Sequence, residues 1–133
     1  MIEIFTDAAV KKDSPYTAVA AHVLYEKKQY HYQHLIKESM DNHIAEFYAV
    51  YYSVQWLSYN FPTNERLFIH TDSQIVYQAI SKGYVKKTVY KHLLEQIQKL
   101  FDTYPLVIID WVPEKKNKKA DELARALLNK HVN

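Results

Sequence analysis

Apolar positions along this chain recur in two rhythms, one of two residues and one of three to four, and the switches between them mark its elements. Residues 1–6 are an apolar run ending in Thr6-Asp7, the pattern of a buried strand. Residues 16–25 and 29–36 read as two more strands, and the charged link Glu26-Lys27-Lys28 predicts a hairpin between them. From Asn42 to Tyr59 the period lengthens. Ile44, Phe47, Tyr51, Val54 and Leu57 mark an amphipathic helix, which Phe61-Pro62-Thr63-Asn64 ends. Arg66 to Thr71 is a fourth strand, again followed by Asp. Ser73 to Ser81 is a short helix stopped by Gly83, the only glycine. Lys87 to Phe101 carries Tyr90, Leu93, Leu94, Ile97 and Leu100 at helical spacing. Pro105 opens a fifth strand, Leu106 to Val112, and a last helix begins near Ala120 with Leu123, Ala124, Leu127 and Leu128 on one stripe.

The order β-β-β-α-β-α-α-β-α predicts an α/β fold: a five-stranded mixed sheet flanked by helices. With no linker, repeat or low-complexity stretch, the 133 residues are expected to form one domain spanning 1–133. A composition of 48% hydrophobic and 24% charged residues suits a globular protein and argues against disorder. The absence of cysteine excludes disulfides and thiolate metal sites. The start of the chain lacks the pattern of a signal peptide, and no apolar stretch reaches the roughly 20 residues of a membrane span. A cytoplasmic monomer with no membrane attachment is therefore expected. The formal charge of +2 says little about partners, but its distribution says more. Lysines gather at Lys86-Lys87-Lys91 and at Lys115-Lys116-Lys118-Lys119, where the ordinary reading is a solvated face.

Four acids stand out by position. Asp7 and Asp72 each follow a threonine at the end of a predicted strand, and parallel neighbouring strands would set them side by side. Glu46 lies in the first turns of one helix and Asp121 opens another, where the helix dipole alone would favour an acid. Brought together, four carboxylates repel one another unless a cation neutralises them. Oxygen ligands with no thiolate favour Mg²⁺ or Mn²⁺ over zinc. Two such ions about 3.5–4 Å apart can activate water and stabilise the leaving oxygen in phosphodiester hydrolysis.

The segments carrying these acids, Ile4-Phe5-Thr6-Asp7, Asn42-His43-Ile44-Ala45-Glu46, Thr71-Asp72-Ser73-Gln74 and Asn117-Lys118-Lys119-Ala120-Asp121-Glu122-Leu123-Ala124, resemble the four motifs of type 1 ribonuclease H, in the family's order. The resemblance covers nearly the whole chain. It implies the ribonuclease H-like fold and hydrolysis of the RNA strand of an RNA–DNA hybrid with two Mg²⁺ ions, Mn²⁺ substituting. Asp7 would bridge the metals, Glu46 and Asp72 would complete one site, and Asp121 the other. Asn42 and Gln74 match positions that read the minor groove of the hybrid, where the 2′-hydroxyl separates RNA from DNA. A helix cap is the competing role for Asn42. Asn117, Lys86 and Lys87 are further candidates for substrate contact.

The chain also departs from that pattern. Ala8 stands where the family usually has Gly, and Val10-Lys11-Lys12-Asp13-Ser14-Pro15 replaces a Gly-rich turn. Asp41 occupies the place of a phosphate-binding Thr. The loop Pro113-Glu114-Lys115-Lys116 is short and has no His, which leaves Glu114 or Lys115 as substitutes. Ile80 to Tyr90 lacks the long basic protrusion of many relatives, so the chain reads as a short bacterial form in which Lys86, Lys87 and Lys91 supply a reduced version. His43 and His70 flank the expected site, and a structural role is the expectation for both. Two alternatives stay open: a catalytically silent nucleic-acid-binding module, and another nuclease on the same fold.

Overall fold

In the computed structural model, which describes residues 1–131, the alternating segments pair into one five-stranded sheet. β1 (Ile2–Val10), β2 (Thr17–Tyr25) and β3 (Lys28–Ile36) form an antiparallel meander. β4 (Leu67–Thr71) and β5 (Val107–Trp111) add in parallel on the other side of β1, giving the order β3-β2-β1-β4-β5. The helices are α1 (Asn42–Asn60), α2 (Gln74–Lys82), α3 (Thr88–Phe101) and α4 (Lys118–His131). Glu26 and Lys27, at φ 50° and 66°, make the two-residue turn whose twist matches the strands it joins.

The two faces of the sheet are covered differently. On one face, Ile2, Ile4, Leu67 and Ile69 pack with Phe47, Val54 and Leu57 of α1 and Ile97 of α3 in the main core. On the other, α4 lies on Ala9, Ala18 and Ala20 through Ala124 and Leu128. Small side chains at this seam let a helix sit close to the strands. A second small-residue contact, Ala8 with Ala45 and Ala49, brings α1 against β1 on either side of Glu46 in the sequence.

Several boundaries differ from the sequence expectation, each for a tertiary reason. β1 does not end at Asp7 but runs on to Val10, because its pairing with β2 continues to Val10–Thr17 while its pairing with β4 stops at Phe5–His70. The buried face of α1 is wider than the predicted stripe and takes in Ala45, Ala49, Val50 and Ser53, because α1 meets both the sheet and α3. Tyr59 is 81% exposed at the far end of that helix. Asn42 is not the cap of α1. Asp41 is, its carboxylate accepting from the Ile44 N–H at 2.9 Å. α4 begins at Lys118, two residues before Ala120, after a single 3₁₀ turn at Glu114–Lys116 that the sequence pattern did not predict.

Two substitutions test this packing in urea titrations. Phe47→Ala removes a fully buried ring stacked on Tyr90 and is expected to cost about 3–5 kcal/mol. At Gly83 (φ 68°) an added Cβ would meet only the Gln98 amide, at 3.6 Å, so the left-handed backbone sets the cost. Gly83→Ala is expected to lose about 1–2 kcal/mol, and an unchanged midpoint would show that α2 ends without that conformation.

Candidate active site

The departure of β4 from β1 builds the site. Beyond Phe5–His70 the two strands no longer pair, and Asp7 and Asp72 stand at the opening. The turn carrying Asp72 is held from three sides. Thr71 Oγ1 accepts from the Ser73 N–H at 3.1 Å, Ser73 Oγ caps α2 through the Val76 N–H at 3.3 Å, and Trp111 Nε1 donates to the Asp72 carbonyl at 3.1 Å. Glu46, 7% exposed, reaches the same opening from the first turns of α1. Asp7, Glu46 and Asp72 each place a carboxylate oxygen within 4.8 Å of the others. Asp121, in the first turn of α4, lines the same cleft of about 330 Å³ but lies outside that trio, its carboxylate paired with Arg125 at 2.7 Å.

The other expected site residues divide. Asn42 and Gln74 are exposed on the rim of the acid-lined cleft, and His43 and Glu114 line it too. Glu114 also borders a second cleft that shares Asp72 and Asp121, so the loop lacking His presents a fifth carboxylate. Lys86 and Lys87 line neither cleft. Lys86 borders a groove with Tyr84, Lys82 and Ile75, and Lys87 sits 5.9 Å above the ring of Tyr90. His70 also stays out of the cleft, buried with Nε2 2.6 Å from Glu3. Asn117 is placed differently from a surface contact: it is 1% exposed, and its Nδ2 donates to the Thr6 carbonyl at 2.8 Å. That carbonyl points toward β4 by the same alternation that sends the Ile2 N–H to Arg66. It falls just beyond the last β1–β4 pair, and Asn117 supplies the missing donor.

A family described as Reverse transcriptase-like matches residues 5–127. The chain belongs to this ribonuclease H-like family. The Enterococcus faecalis protein named Putative hydrolase EbsB is 34% identical over 130 residues, covering 98% of this chain and 96% of that protein. Three solved structures share the fold at low identity. The N-terminal RNase H domain of a Mycobacterium tuberculosis protein superposes with TM-score 0.84 at 20% identity, over 98% of this chain and 94% of that one. RNase H1 of Halobacterium salinarum gives 0.86 at 18%, over 97% and 98%. LC11-RNase H1, solved in complex with RNA/DNA hybrid, gives 0.87 at 19%, over the full length of both.

In this family member the three clustered acids are all raised above the usual carboxylate range. Asp7 is pushed up to about 8, chiefly by burial and then by Asp72, against hydrogen bonds from the Ala8 N–H and with Glu46. Burial, followed by Asp7 and Asp72, raises Glu46 well above the usual carboxylate range. Asp72 is also raised, by burial first; the Asn117 amide pulls it down and Glu114 pushes it up. Buried like charges at this spacing are costly, and a hard cation would relieve them. A donor set made only of carboxylate oxygens fits Mg²⁺ or Mn²⁺.

The sign of the pH effect follows. A carboxylate raised in the folded state favours folding when protonated, so its contribution is full below about 4 and is lost as pH rises toward about 8. In EDTA, Asp7→Asn is expected to melt higher than wild type at pH 8, by on the order of 1–3 kcal/mol, with the gap closing toward pH 5. Added Mg²⁺ or Mn²⁺ should raise the wild-type melting temperature and leave the variant nearly unmoved. Equal melting of the two proteins in EDTA across this range would remove the repulsion argument.

Proposed function

We propose that this chain is an endoribonuclease that hydrolyses the RNA strand of RNA–DNA hybrids, acting as a single-domain cytoplasmic monomer. The observation that carries this reading is the trio of carboxylates within 4.8 Å, two buried and Asp72 half-buried, drawn from a strand, a helix and a turn, with Asp121 on the same cleft. The family, and the ribonuclease H1 structures that share the fold, support it. No described helix is long and apolar enough to cross a membrane.

Asp7, Glu46, Asp72 and Asp121 would hold two Mg²⁺ ions, with Mn²⁺ able to replace them. Bound there, such ions activate a water and stabilise the leaving oxygen of a phosphodiester. The chain's own residues supply the rest. Asn42 and Gln74 carry amides that both donate and accept on the rim of the cleft, which suits recognition of a 2′-hydroxyl. Lys86 and exposed Tyr84 border a groove that shares Ile75 with the acid-lined cleft, so a duplex filling the cleft has a cation and a ring beside it. Lys87 adds charge at the start of α3. Asn117 acts from behind, tying the start of α4 to β1 and so setting where Asp121 stands.

The test is a labelled RNA–DNA hybrid incubated with Mg²⁺ and, separately, Mn²⁺, beside RNA–RNA and DNA–DNA duplexes. Cutting is expected only in the RNA of the hybrid. Asp72→Asn should slow it by at least about 100-fold, since even groups behind a metal ligand cost about 10–100-fold. Retained hybrid binding without cutting would instead establish a silent binding module, and cutting of DNA duplexes would overturn the substrate.

A further inference from the structure

The face of the sheet that carries α4 holds a feature the acid-lined cleft does not use. Strand register places His70, Phe5, His22 and His31 on one line across β4, β1, β2 and β3, each directly opposite the next. Side chains opposite one another across a sheet share a face, so four rings form a single cross-strand row. Phe5 lies 4.3 Å from His70 and 5.9 Å from His22, with planes within 19° and 28° of parallel, and His31 follows at 5.5 Å. α4 rests on Ala9, Ala18 and Ala20, which leaves Phe5 and His22 half-exposed and His31 exposed.

Lysines border this row. Phe5, His22 and Leu24 floor a cleft of about 270 Å³ whose opposite wall carries Lys115, Lys116, Lys118 and Lys119. Lys119 is close enough to help hold His31 below the ordinary imidazole range, after burial and together with His22. At the other end, His70 is closed off by Glu3 at 2.6 Å and Asp110 at 3.7 Å, acids that would repel a phosphate. The attractive part of the row is therefore Phe5, His22 and His31. This cleft also joins the acid-lined one. Lys115 and Lys118 line both it and the intermediate cleft, which in turn shares Asp72, Glu114 and Asp121 with the acid-lined cleft.

We infer that the lysine-walled cleft over Phe5 and His22, with exposed His31 next in the row, is a second nucleic-acid site, which takes a single-stranded extension of the strand lying in the acid-lined cleft. This rests on the nuclease reading for the identity of that strand. Flat rings accept any base by stacking, while lysines follow the phosphates, which is the composition of a sequence-tolerant single-strand groove. A continuous duplex does not suit it, because paired bases cannot lay their faces on a sheet.

Binding in EDTA, where no cutting occurs, tests the site by fluorescence anisotropy. The probes are a blunt RNA–DNA hybrid and the same hybrid with about ten unpaired ribonucleotides at the 5′ or the 3′ end of its RNA. One extended hybrid is expected to bind about 10-fold more tightly than the blunt one. Lys116→Ala/Lys119→Ala and His22→Ala, made separately, should each abolish that increment and leave blunt-hybrid affinity unchanged, which also shows that the variants fold. Lys116→Arg/Lys119→Arg should keep it. The salt dependence on the extended hybrid should become shallower by about 1.4 in the double alanine variant, twice the single-strand increment of about 0.7 per phosphate. No increment at either end, or one that survives both alanine variants, overturns the site. Competition by polyglutamate stronger than by single-stranded RNA would overturn it in favour of an acidic protein partner. Cutting in Mg²⁺ is read separately: a protein that never cuts the hybrid but shows the increment keeps this site and loses the nuclease reading.

Discussion

β1 is hydrogen-bonded on both sides as far as Phe5 and on one side only beyond it, and the rest of the site depends on that asymmetry. A strand paired on both sides has neither backbone groups nor space to offer. Where β4 turns away into α2, the Thr6 carbonyl loses its strand partner, Asp7 gains an open flank, and Asp72 stands at the first residue after β4. A buried carbonyl needs a donor, and Asn117 provides it across 111 residues of sequence. The same bond anchors the start of α4, so one unpaired backbone group couples the end of a parallel ladder to the position of a fourth acid.

The trio of carboxylates pulls against the fold that assembles it. Burial raises Asp7, Glu46 and Asp72 alike; neighbours within the trio push Asp7 and Glu46 further, and Glu114 and Asp121 push Asp72, so the unneutralised cluster costs stability. Packing elsewhere offsets that cost. Ala8, Ala45 and Ala49 let α1 approach β1 closely, which brings Glu46 within reach of Asp7, and the large side chains of the main core hold α1 in place. Asp121 is different. Half-exposed and paired with Arg125, it can swing without disturbing the core, as suits a ligand at the edge of a cleft rather than at its base.

Much of this was legible in the residue pattern. The order of strands and helices and the stop at Gly83 follow from periodicity and capping residues, which are local; the four acids stand out by their positions, and Asn42 and Gln74 only through the resemblance of their motifs to type 1 ribonuclease H. The wide buried face of α1 was not legible, because residues such as Ser53 and Ala49 do not announce burial; only contact with two layers at once buries them. Nor was the role of Asn117, since an amide flanked by lysines at a helix start resembles a surface contact until the Thr6 carbonyl is seen beside it.

The sequence by itself determined which residues can lie in strands and helices, which acids follow them, and that oxygen would be the ligand chemistry. These are properties of neighbours along the chain. The tertiary structure alone decided that β1 runs past Asp7, that Asp41 rather than Asn42 caps α1, and that Glu114 joins the acids. It alone also lined up Phe5, His22, His31 and His70 in one row. Apart from the cap, which turns on where α1 begins, those outcomes depend on strand register or on where a ladder ends. Local patterning and a short turn can set the register within a hairpin, but how β1 lies against β4, and where that ladder ends, is decided by partners far away in the sequence.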